Sequence, residues 1–460
     1  MWKDWWHKIR INIKPSFRRM HQNHTVLMFQ LSLSSNKKTM RVTMELGGIN
    51  KKIYFAGLTG EIMEWFDFTV YGFFSLIIAQ KFFPSDNHFV SLMAAFAAFA
   101  IGFVMRPLGA MVFGHMGDTF GRKKVLTVSI FLMAFPSLII AITPTFATIG
   151  IFAPILLILM RMLQGLSVGG EHTGSVVYLS ELSTANNRAF AAVVPFVGTV
   201  LGTLLGSLVG VMVFSVFSHA TILQWAWRIP FFMGTGIAFV GIVIRRYLPE
   251  SYHPKDNTST AAPMVEIYRN HLQAFFKVFF LNLTFAVGFY TIFIYNALWM
   301  QQFSHVTKDY SLEINSLALV VAIVAMLLSS SLSNRFGRKP MLIIATGGLT
   351  LFSYPLYKLM LSPIPFHLLL GQVSFALFIG IFMGVVGVVM VELFDKEIRM
   401  SAVSVSFNLC FAIFGGTAPM IATWLIHTSH DNVSVGWYLS LVSGVSLLTA
   451  LTIPETFTKE

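Results

Sequence analysis

Charged residues are scarce in this sequence. Only 11% of the 460 residues are Asp, Glu, Lys or Arg, whereas 55% are hydrophobic and the mean hydropathy is +0.70. Soluble domains carry about 25% charged residues, which they need to cover a surface that faces water. A soluble globular protein is therefore excluded, and the apolar excess must face lipid.

Three further absences narrow the range of functions. The chain has one cysteine, Cys410, so an intrachain disulfide is excluded. It has no glycine-rich turn followed by Lys and Ser or Thr, so no ATP site is indicated. Its 13 histidines are scattered and form no cluster with the spacing of metal ligands. We therefore expect no cofactor, no metal ion and no enzymatic activity.

The sequence contains many long apolar stretches. A helix that crosses the hydrocarbon core of a bilayer needs roughly 20 apolar residues. Twelve such stretches lie at 54–80, 89–116, 124–143, 150–180, 189–217, 228–247, 273–301, 313–334, 340–360, 366–392, 401–427 and 433–454. Backbone polar groups must be satisfied internally in lipid, and the stretches lack the alternation of barrel strands. The sequence therefore predicts an all-α membrane protein with twelve transmembrane helices.

Lys and Arg are distributed unevenly among the predicted loops. The first 52 residues contain eleven of them against Asp4 and Glu45. Most of the others follow even-numbered stretches: Arg122, Lys123, Lys124, Arg188, Arg245, Arg246, Lys255, Arg269, Arg335, Arg338, Lys339, Lys396 and Arg399. The opposite loops hold only Lys81, Lys308 and Lys358. This asymmetry predicts a multi-pass inner (cytoplasmic) membrane protein with both termini in the cytoplasm, and it argues against nucleic acid as a partner.

The segment before the first stretch is basic and contains Trp2, Trp5 and Trp6. It lacks the apolar core of a cleavable secretory signal. Two alternatives stand for residues 1–45: an amphipathic arm in the membrane interface, or residues upstream of a start at Met40 or Met44. We assign this segment no function.

Two short patterns recur in the two halves of the chain. The pattern Asp118-x2-Gly121-Arg122-Lys123 has its counterpart at Asn334, an offset of 334 − 118 = 216 residues. Glu181 precedes Arg188 by seven residues as Glu392 precedes Arg399, an offset of 211. We therefore expect two parallel six-helix repeats with a site between them. The predicted boundaries are 1–53 for a cytoplasmic segment, 54–248 and 273–460 for the two bundles, and 249–272 for a cytoplasmic loop.

Motifs between residues 54 and 454 carry a family resemblance. They are Glu64-Trp65-Phe66-Asp67-Phe68, Arg106-Pro107-Leu108-Gly109, Gly114-x3-Asp118-x2-Gly121-Arg122-Lys123, Arg161-Met-Leu-Gln164-Gly165 with Gly169-Gly170-Glu171, Trp227-Arg228-Ile229-Pro230-Phe231 and Gly415-Gly416-Thr417-Ala418-Pro419. At these residues the chain resembles the major facilitator superfamily and, within it, the metabolite:proton symporter family. Members that carry proline and betaine are most similar, and carriers of α-ketoglutarate, citrate and shikimate share the motifs. The chain departs from the family pattern at three positions. Thr119 replaces a basic residue, Asn334 replaces an aspartate, and His172 replaces an aromatic residue.

Ionisable residues inside the predicted helices are the candidates for coupling. Glu64 and Asp67 are three residues apart and so share one helical face. Buried acids are costly in a membrane and usually mark a water-filled path or pair with each other or with a base. We expect Glu64, Asp67 and Glu171 to couple a proton to transport. Pairing with a basic residue such as Arg161, to hold helices together, is the structural alternative.

Arg161 is the predicted centre of a substrate site, because its guanidinium matches a carboxylate in a bidentate manner. We place Gln164, Trp65 and Tyr71 in the same site, since aromatic faces attract quaternary ammonium groups. Core packing is the alternative for the aromatic residues. His172 could titrate, but packing is the simpler interpretation.

A second group of residues is predicted to form a gate. Glycine allows the tight turn at Gly121, and Asp118 can accept from a helix N-terminus or from Arg122. The resemblance implies a cytoplasmic latch built from these residues with Arg106 and Arg338. Loop formation with basic anchoring is the alternative. Gly198, Gly202, Gly206 and Gly210 form a four-residue ladder that predicts close helix packing.

The resemblance implies a monomeric secondary transporter that carries a small polar solute together with a proton by alternating access. The solute class is a betaine- or proline-type zwitterion or an organic acid. A uniporter or exchanger of a carboxylate metabolite in the same fold is the first alternative. A non-transporting sensor is the second, and it predicts a soluble domain or a clustered metal site.

Overall fold

A computed structural model describes residues 11–20, 24–33, 39–46, 51–245, 249–251, 263–362 and 364–457. Within them, three strands precede the helices: β1 (Ile11–Met20), β2 (His24–Leu33) and β3 (Thr39–Leu46). They form an antiparallel sheet in the order β1-β2-β3, with Ile11 opposite Leu33 and Thr25 opposite Leu46. The described parts of this segment are thus strands, where an amphipathic arm was one of the two alternatives. The tryptophans of residues 1–10 and residues 252–262 of the predicted interdomain loop lie outside the described residues.

Twelve membrane helices follow the strands. Their bounds are α1 (Lys51–Phe73), α2 (His88–Phe120), α3 (Arg122–Ile142), α4 (Phe152–Leu182), α5 (Arg188–Val216), α6 (Ile229–Arg245), α7 (272–303, in four parts), α8 (Lys308–Phe336), α9 (Arg338–Met360), α10 (Pro365–Glu392), α11 (399–429, in parts) and α12 (Ser434–Thr452). Short helices at Ser75–Phe82, Phe146–Ile149, His219–Gln224 and Pro263–Asn270 and 3₁₀ turns at Ala185–Asn187 and Ala226–Arg228 connect them. All twelve predicted stretches are confirmed as helices, with ends within a few residues except in α1, which breaks at Phe74 before the short helix.

Eleven helices in the described part of the chain are long and apolar enough to cross a membrane. The helix that falls outside this group is α1, which has 23 residues. It contains three acids, Glu61, Glu64 and Asp67, and it begins with Lys51 and Lys52. Because acids are costly in lipid, a helix of this composition must be enclosed by its neighbours.

Helix α1 is enclosed most closely by α5. A Cβ at Gly202 would lie 2.5 Å from the carbonyl oxygen of Ile62, and a Cβ at Gly198 would lie 2.6 Å from the Cβ of Glu61. A side chain at either position would force the two helices apart. The packing role predicted for the glycine ladder is therefore confirmed at these positions.

Two helices of the second bundle change their winding in mid-membrane. Tyr290–Tyr295 in α7 and Phe411–Gly415 in α11 are π-helical, where continuous α-helices were predicted. The π turn in α7 leaves carbonyl groups for other partners, and amide side chains bind them. Gln372 donates to the carbonyl oxygen of Ile292 at 2.6 Å, and Asn315 donates to that of Phe293 at 2.9 Å. Turns of this kind occur often at functional sites.

The repeat read from the sequence recurs in backbone conformation. Gly121 and Gly337 have φ values of +96° and +99°, the left-handed region that glycine adopts without strain. The helix after each turn is capped by a distant carboxylate: Glu250 accepts from the backbone N–H of Arg122 at 2.7 Å, and Glu455 accepts from that of Arg338 at 2.8 Å. The two bundles therefore close this turn in the same way.

Candidate functional site

The three acids of α1 lie at intervals of three residues and face the interior of the first bundle. The exposed fractions of Glu61, Glu64 and Asp67 are 0%, 1% and 0%. Glu64 and Asp67 were predicted from the sequence as coupling residues, whereas Glu61 was not. Their spacing was the available signal, because it puts all three along one side of the helix.

Asp67 is linked to Arg161 through Gln164. Its Oδ2 accepts from Gln164 Nε2 at 2.8 Å and from the hydroxyl of Ser137. Arg161 Nη1 donates to Gln164 Oε1 at 2.7 Å. The predicted Asp67–Arg161 interaction is therefore relayed by an amide. Asp67 Oδ1 and the Nε and Nη2 atoms of Arg161 are buried and have no hydrogen-bond partner among the described residues.

The aromatic residues near Asp67 already have cations on their faces. The Cζ of Arg161 lies 4.3 Å from the ring centroid of Tyr71 and 5.0 Å from that of Phe68. Arg106 lies over the Phe68 and Phe103 rings at 5.0 and 4.4 Å. These are cation–π distances. The two buried guanidinium groups thus contact the same phenylalanine ring.

The remaining predicted aromatic residue points elsewhere. The ring of Trp65 packs on Phe289 at 5.0 Å and on Tyr290 at 6.3 Å, both in α7 of the second bundle. Trp65 therefore lies at the interface between the bundles. The structure brings Tyr71 and Gln164 to Arg161 but places Trp65 away from it.

Glu171 forms a paired contact with Arg245. Arg245 Nη1 donates to Glu171 Oε2 at 2.9 Å, Arg245 Nη2 donates to Oε1, and Ser129 donates to Oε2 as well. The assignment of Arg245 to a basic loop was wrong, because its exposed fraction is 0%. A bidentate carboxylate of this kind is well satisfied as an anion.

His172, expected to be a packing residue, has a polar partner. Its Nδ1 lies 2.8 Å from Glu61 Oε2, and Thr199 donates to the same oxygen at 3.3 Å. The imidazole ring also stacks on Phe407 of α11 at 5.0 Å and meets Phe196 edge-on at 4.7 Å. His172, on α4, therefore contacts α1 and α5 of its own bundle and α11 of the second bundle.

Asp118 contacts the second bundle at the end of the molecule that carries the basic loops, which we call the basic end. It accepts from Arg122 Nη1 at 2.7 Å and from the backbone N–H groups of Met400 and Ser401 at 3.2 and 2.8 Å. Those groups belong to the first turn of α11, so Asp118 caps a helix across the interface.

Two acids at the basic end each bind one arginine from each bundle. Glu181 binds Arg122 at 3.3 Å and Arg399 at 3.2 Å. In the repeat-related arrangement, Glu392 binds Arg338 at 3.4 Å and Arg188 at 3.7 Å. The structure thus brings the predicted gate residues Asp118, Gly121, Arg122 and Arg338 into two neighbouring networks. Arg106, predicted to belong with them, lies instead beside Phe68 and Phe103.

The second bundle has a neutral network where the first has charges. Gln372 stands at the same offset from Arg161, 211 residues, as Glu392 does from Glu181. Its Oε1 accepts from Asn296 at 2.9 Å, and Asn296 Oδ1 accepts from the hydroxyl of Tyr357 at 2.6 Å. The described part of the site is therefore asymmetric, with its ionisable groups in the first bundle.

Comparisons with known proteins agree with this architecture. Residues 52–274 match the model for the sugar (and other) transporter family, and residues 278–460 match that for the Major Facilitator Superfamily. The proline/betaine transporter of Salmonella typhimurium is 32% identical over 423 residues, which cover 89% of this chain and 84% of the relative. The chain belongs to the major facilitator superfamily.

Further comparisons support this membership and the fold. The glycine betaine/proline/ectoine/pipecolic acid transporter OusA of Dickeya dadantii is 32% identical over 432 residues, covering 91% of this chain and 86% of the relative. A solved structure of the proton:xylose symporter XylE superposes with a TM-score of 0.73 at 17% identity, covering 88% of this chain and 96% of that one. The protein is therefore a multi-pass membrane transporter with two pseudo-symmetric six-helix bundles, and it is not an enzyme.

Four charged partners of the functional residues were not predicted as such from the sequence: Glu61, Arg245, Glu250 and Glu455. The last two stand in similar surroundings, Pro249-Glu-Ser and Pro454-Glu-Thr, just after α6 and α12. That recurrence was the signal that could have found them. The pairing of Arg245 with Glu171 has no such signal, because it depends on where α6 packs.

Proposed function

We propose that the protein is a proton-coupled symporter of a small zwitterion that bears a carboxylate, such as betaine or proline. One observation carries this proposal. Arg161 and Arg106 are buried, each with its Cζ 5.0 Å from the centroid of the Phe68 ring, and each has Nε and Nη2 atoms with no hydrogen-bond partner in the described part of the chain. Unpaired buried guanidinium groups are costly and bind a carboxylate readily. The names of the two relatives, which mention proline and betaine, agree with this chemistry.

The acids beside these arginines suit the other end of such a solute. Asp67 Oδ1 and Glu64 Oε2 are buried without a partner among the described atoms. Because the faces of Tyr71 and Phe68 already carry a guanidinium, the ammonium group of the solute goes to a carboxylate rather than to an aromatic cage. A sugar can hydrogen-bond to these groups but offers no formal charge to balance them, which favours a zwitterion over a sugar.

Alternating access accounts for the contacts at the basic end, which we propose to face the cytoplasm. The Asp118 cap on α11 and the bridges of Glu181 and Glu392 hold the bundles together at that end. In this conformation the cytoplasmic side is closed. Release of these contacts lets the bundles rock about the site in the opposite sense, and Glu64, Asp67 and Glu171 lie along the resulting path.

Uptake into proteoliposomes tests the proposal. We expect labelled betaine or proline to accumulate when a pH gradient is imposed, and not when only a sodium gradient is imposed. Accumulation driven by sodium alone would contradict proton coupling. Equilibration without accumulation under either gradient would favour the uniporter, and accumulation of a sugar instead would contradict the substrate class.

Arg161→Lys tests the binding residue within the same assay. Lysine keeps the charge but loses the planar fork, so we expect the solute concentration for half-maximal uptake to rise about tenfold or more. Arg335→Lys, a change at an exposed arginine, is the control. Unchanged uptake in Arg161→Lys would show that Arg161 does not bind the solute carboxylate in a bidentate manner.

A further inference from the structure

Away from the basic end, the buried charges of the first bundle fall into two sets, and one of them is unbalanced. Asp67 and Arg161 form the first set, with one charge of each sign linked by Gln164. The second set contains three carboxyl groups and two guanidinium groups, all with exposed fractions of at most 3%: Glu61, Glu64, Glu171, Arg106 and Arg245. An uncompensated charge in a membrane interior is strongly unfavourable. This set therefore needs one additional proton to be neutral.

The positions of the groups indicate which of them holds this proton. Glu171 is paired with Arg245 through both carboxylate oxygens. Arg106 lies within electrostatic reach of both Glu64 and Glu61. Of the three acids of this set, all in the described part of the bundle, Glu61 is the one in contact with a histidine, because His172 Nδ1 lies 2.8 Å from its Oε2. Whether the pair is a carboxylate with an imidazolium or a carboxylic acid with an imidazole, a single proton lies between these two atoms.

The surroundings of His172 connect this proton to the interface between the bundles. The charged groups near the imidazole are Glu61 and Glu64 on α1, Arg106 on α2, Glu171 on α4 itself and its partner Arg245 on α6. Helices α5, α7 and α11 present aromatic rings to it: Phe196, Phe285 and Phe407. The Nε2 atom is buried without a partner among the described residues.

From this geometry we propose that Glu61 and His172 together form the site of the transported proton, with one proton bound in the conformation closed at the basic end. This inference rests on the proposed function and assigns the proton to a pair other than Glu64, Asp67 or Glu171. When the bundles separate at the basic end, the Phe407 ring leaves the imidazole and water reaches Nε2. The proton then leaves through Nε2. The Glu61–His172 pair regains a proton only from the side of the membrane opposite the basic end.

Proton counting on the purified protein tests the site. Betaine binding is measured calorimetrically at one pH in buffers of different ionisation enthalpy, which yields the number of protons taken up or released per solute bound. In the wild type we expect this number to vary with pH between zero and one. In Glu61→Gln and in His172→Phe we expect it to fall to zero at every pH, with accumulation under a pH gradient lost and solute exchange retained.

Two further variants keep the test decisive. His172→Tyr preserves an aromatic ring against Phe407 and a hydroxyl for Glu61, so it serves if His172→Phe does not fold, and it should also lose the linked proton. His115→Phe changes an exposed histidine of the same bundle and should leave the proton count unchanged. Wild-type coupling that persists in all the pair variants would overturn this inference and leave the symport proposal standing. A wild type without linked protons or accumulation would overturn both.

Discussion

At the scale of single residues, Asp118 joins the two bundles through several hydrogen bonds. It binds two backbone N–H groups of α11 and the guanidinium of Arg122 at once. Each hydrogen bond to a charged group contributes roughly 1.5–3 kcal/mol. An asparagine of the same shape loses the charge and turns one N–H₂ group toward a donor, so the closed basic end should become less stable.

Asp118→Asn should therefore shift the population about tenfold toward the state that is open at the basic end. Spin labels at Thr184→Cys and Glu397→Cys, two exposed positions on opposite bundles, report the opening as a longer distance in a Cys410→Ser background. Asp86→Asn, at an exposed acid of the opposite end, is the control. Equal distance distributions in the two variants would show that the cap does not hold the bundles together.

How far a residue could be predicted depended on whether its partners are near in sequence. Asp118 and Arg122 are four residues apart on one turn, so their contact could be read from the chain. Glu61 and His172 are 111 residues apart, and Glu171 and Arg245 are 74 apart. Only the packing of α1, α4 and α6 brings those pairs together, and the sequence of a single chain carries no trace of it.

At the scale of elements, the acids of α1 are buried because α5 approaches so closely. The approach depends on hydrogen atoms in place of side chains at Gly198 and Gly202. The small-residue spacing of α5 predicted a close helix contact correctly, but it did not identify α1 as the partner. The π turns of α7 and α11 were not predicted. The freed carbonyls of the α7 turn are satisfied by Gln372 and Asn315 from other helices, which local sequence does not reveal.

Gly202→Ala should destabilise the protein by about 1–3 kcal/mol, since the new methyl group meets the backbone of α1. Gly236→Ala is the matched control, because a Cβ there has no neighbour within 4 Å and alanine is the better helix former. Thermal unfolding in detergent should show a lower midpoint for Gly202→Ala only. Similar midpoints would mean that the two helices can separate without cost.

At the scale of the whole molecule, the two halves repeat a pattern with unequal strength. The bridge of Glu181 has both arginines within 3.3 Å, whereas that of Glu392 reaches Arg188 at 3.7 Å. Arg188 also has a 36% exposed side chain, so water screens this ion pair. The replacement of the usual aspartate by Asn334 removes a further charge from the second network.

Glu181→Gln should therefore open the basic end more than Glu392→Gln does. The two substitutions are chemically identical and occupy repeat-related positions, so each serves as the control for the other. Double electron–electron resonance between the labels described for Asp118→Asn measures the difference. A larger increase in the distance between the labels in Glu392→Gln would show that the bridge of Glu392 is the stronger one.

The carboxylate caps at Gly121 and Gly337 have a consequence for the connection between the two halves. Glu250, just after α6, is bonded to the start of α3, and Glu455, just after α12, is bonded to the start of α9. In each bundle, the segment after the last helix is therefore hydrogen-bonded to the first turn of that bundle's third helix. We therefore expect a cut of the chain between residues 251 and 263 to leave both caps in place, because each cap joins two segments of the same bundle.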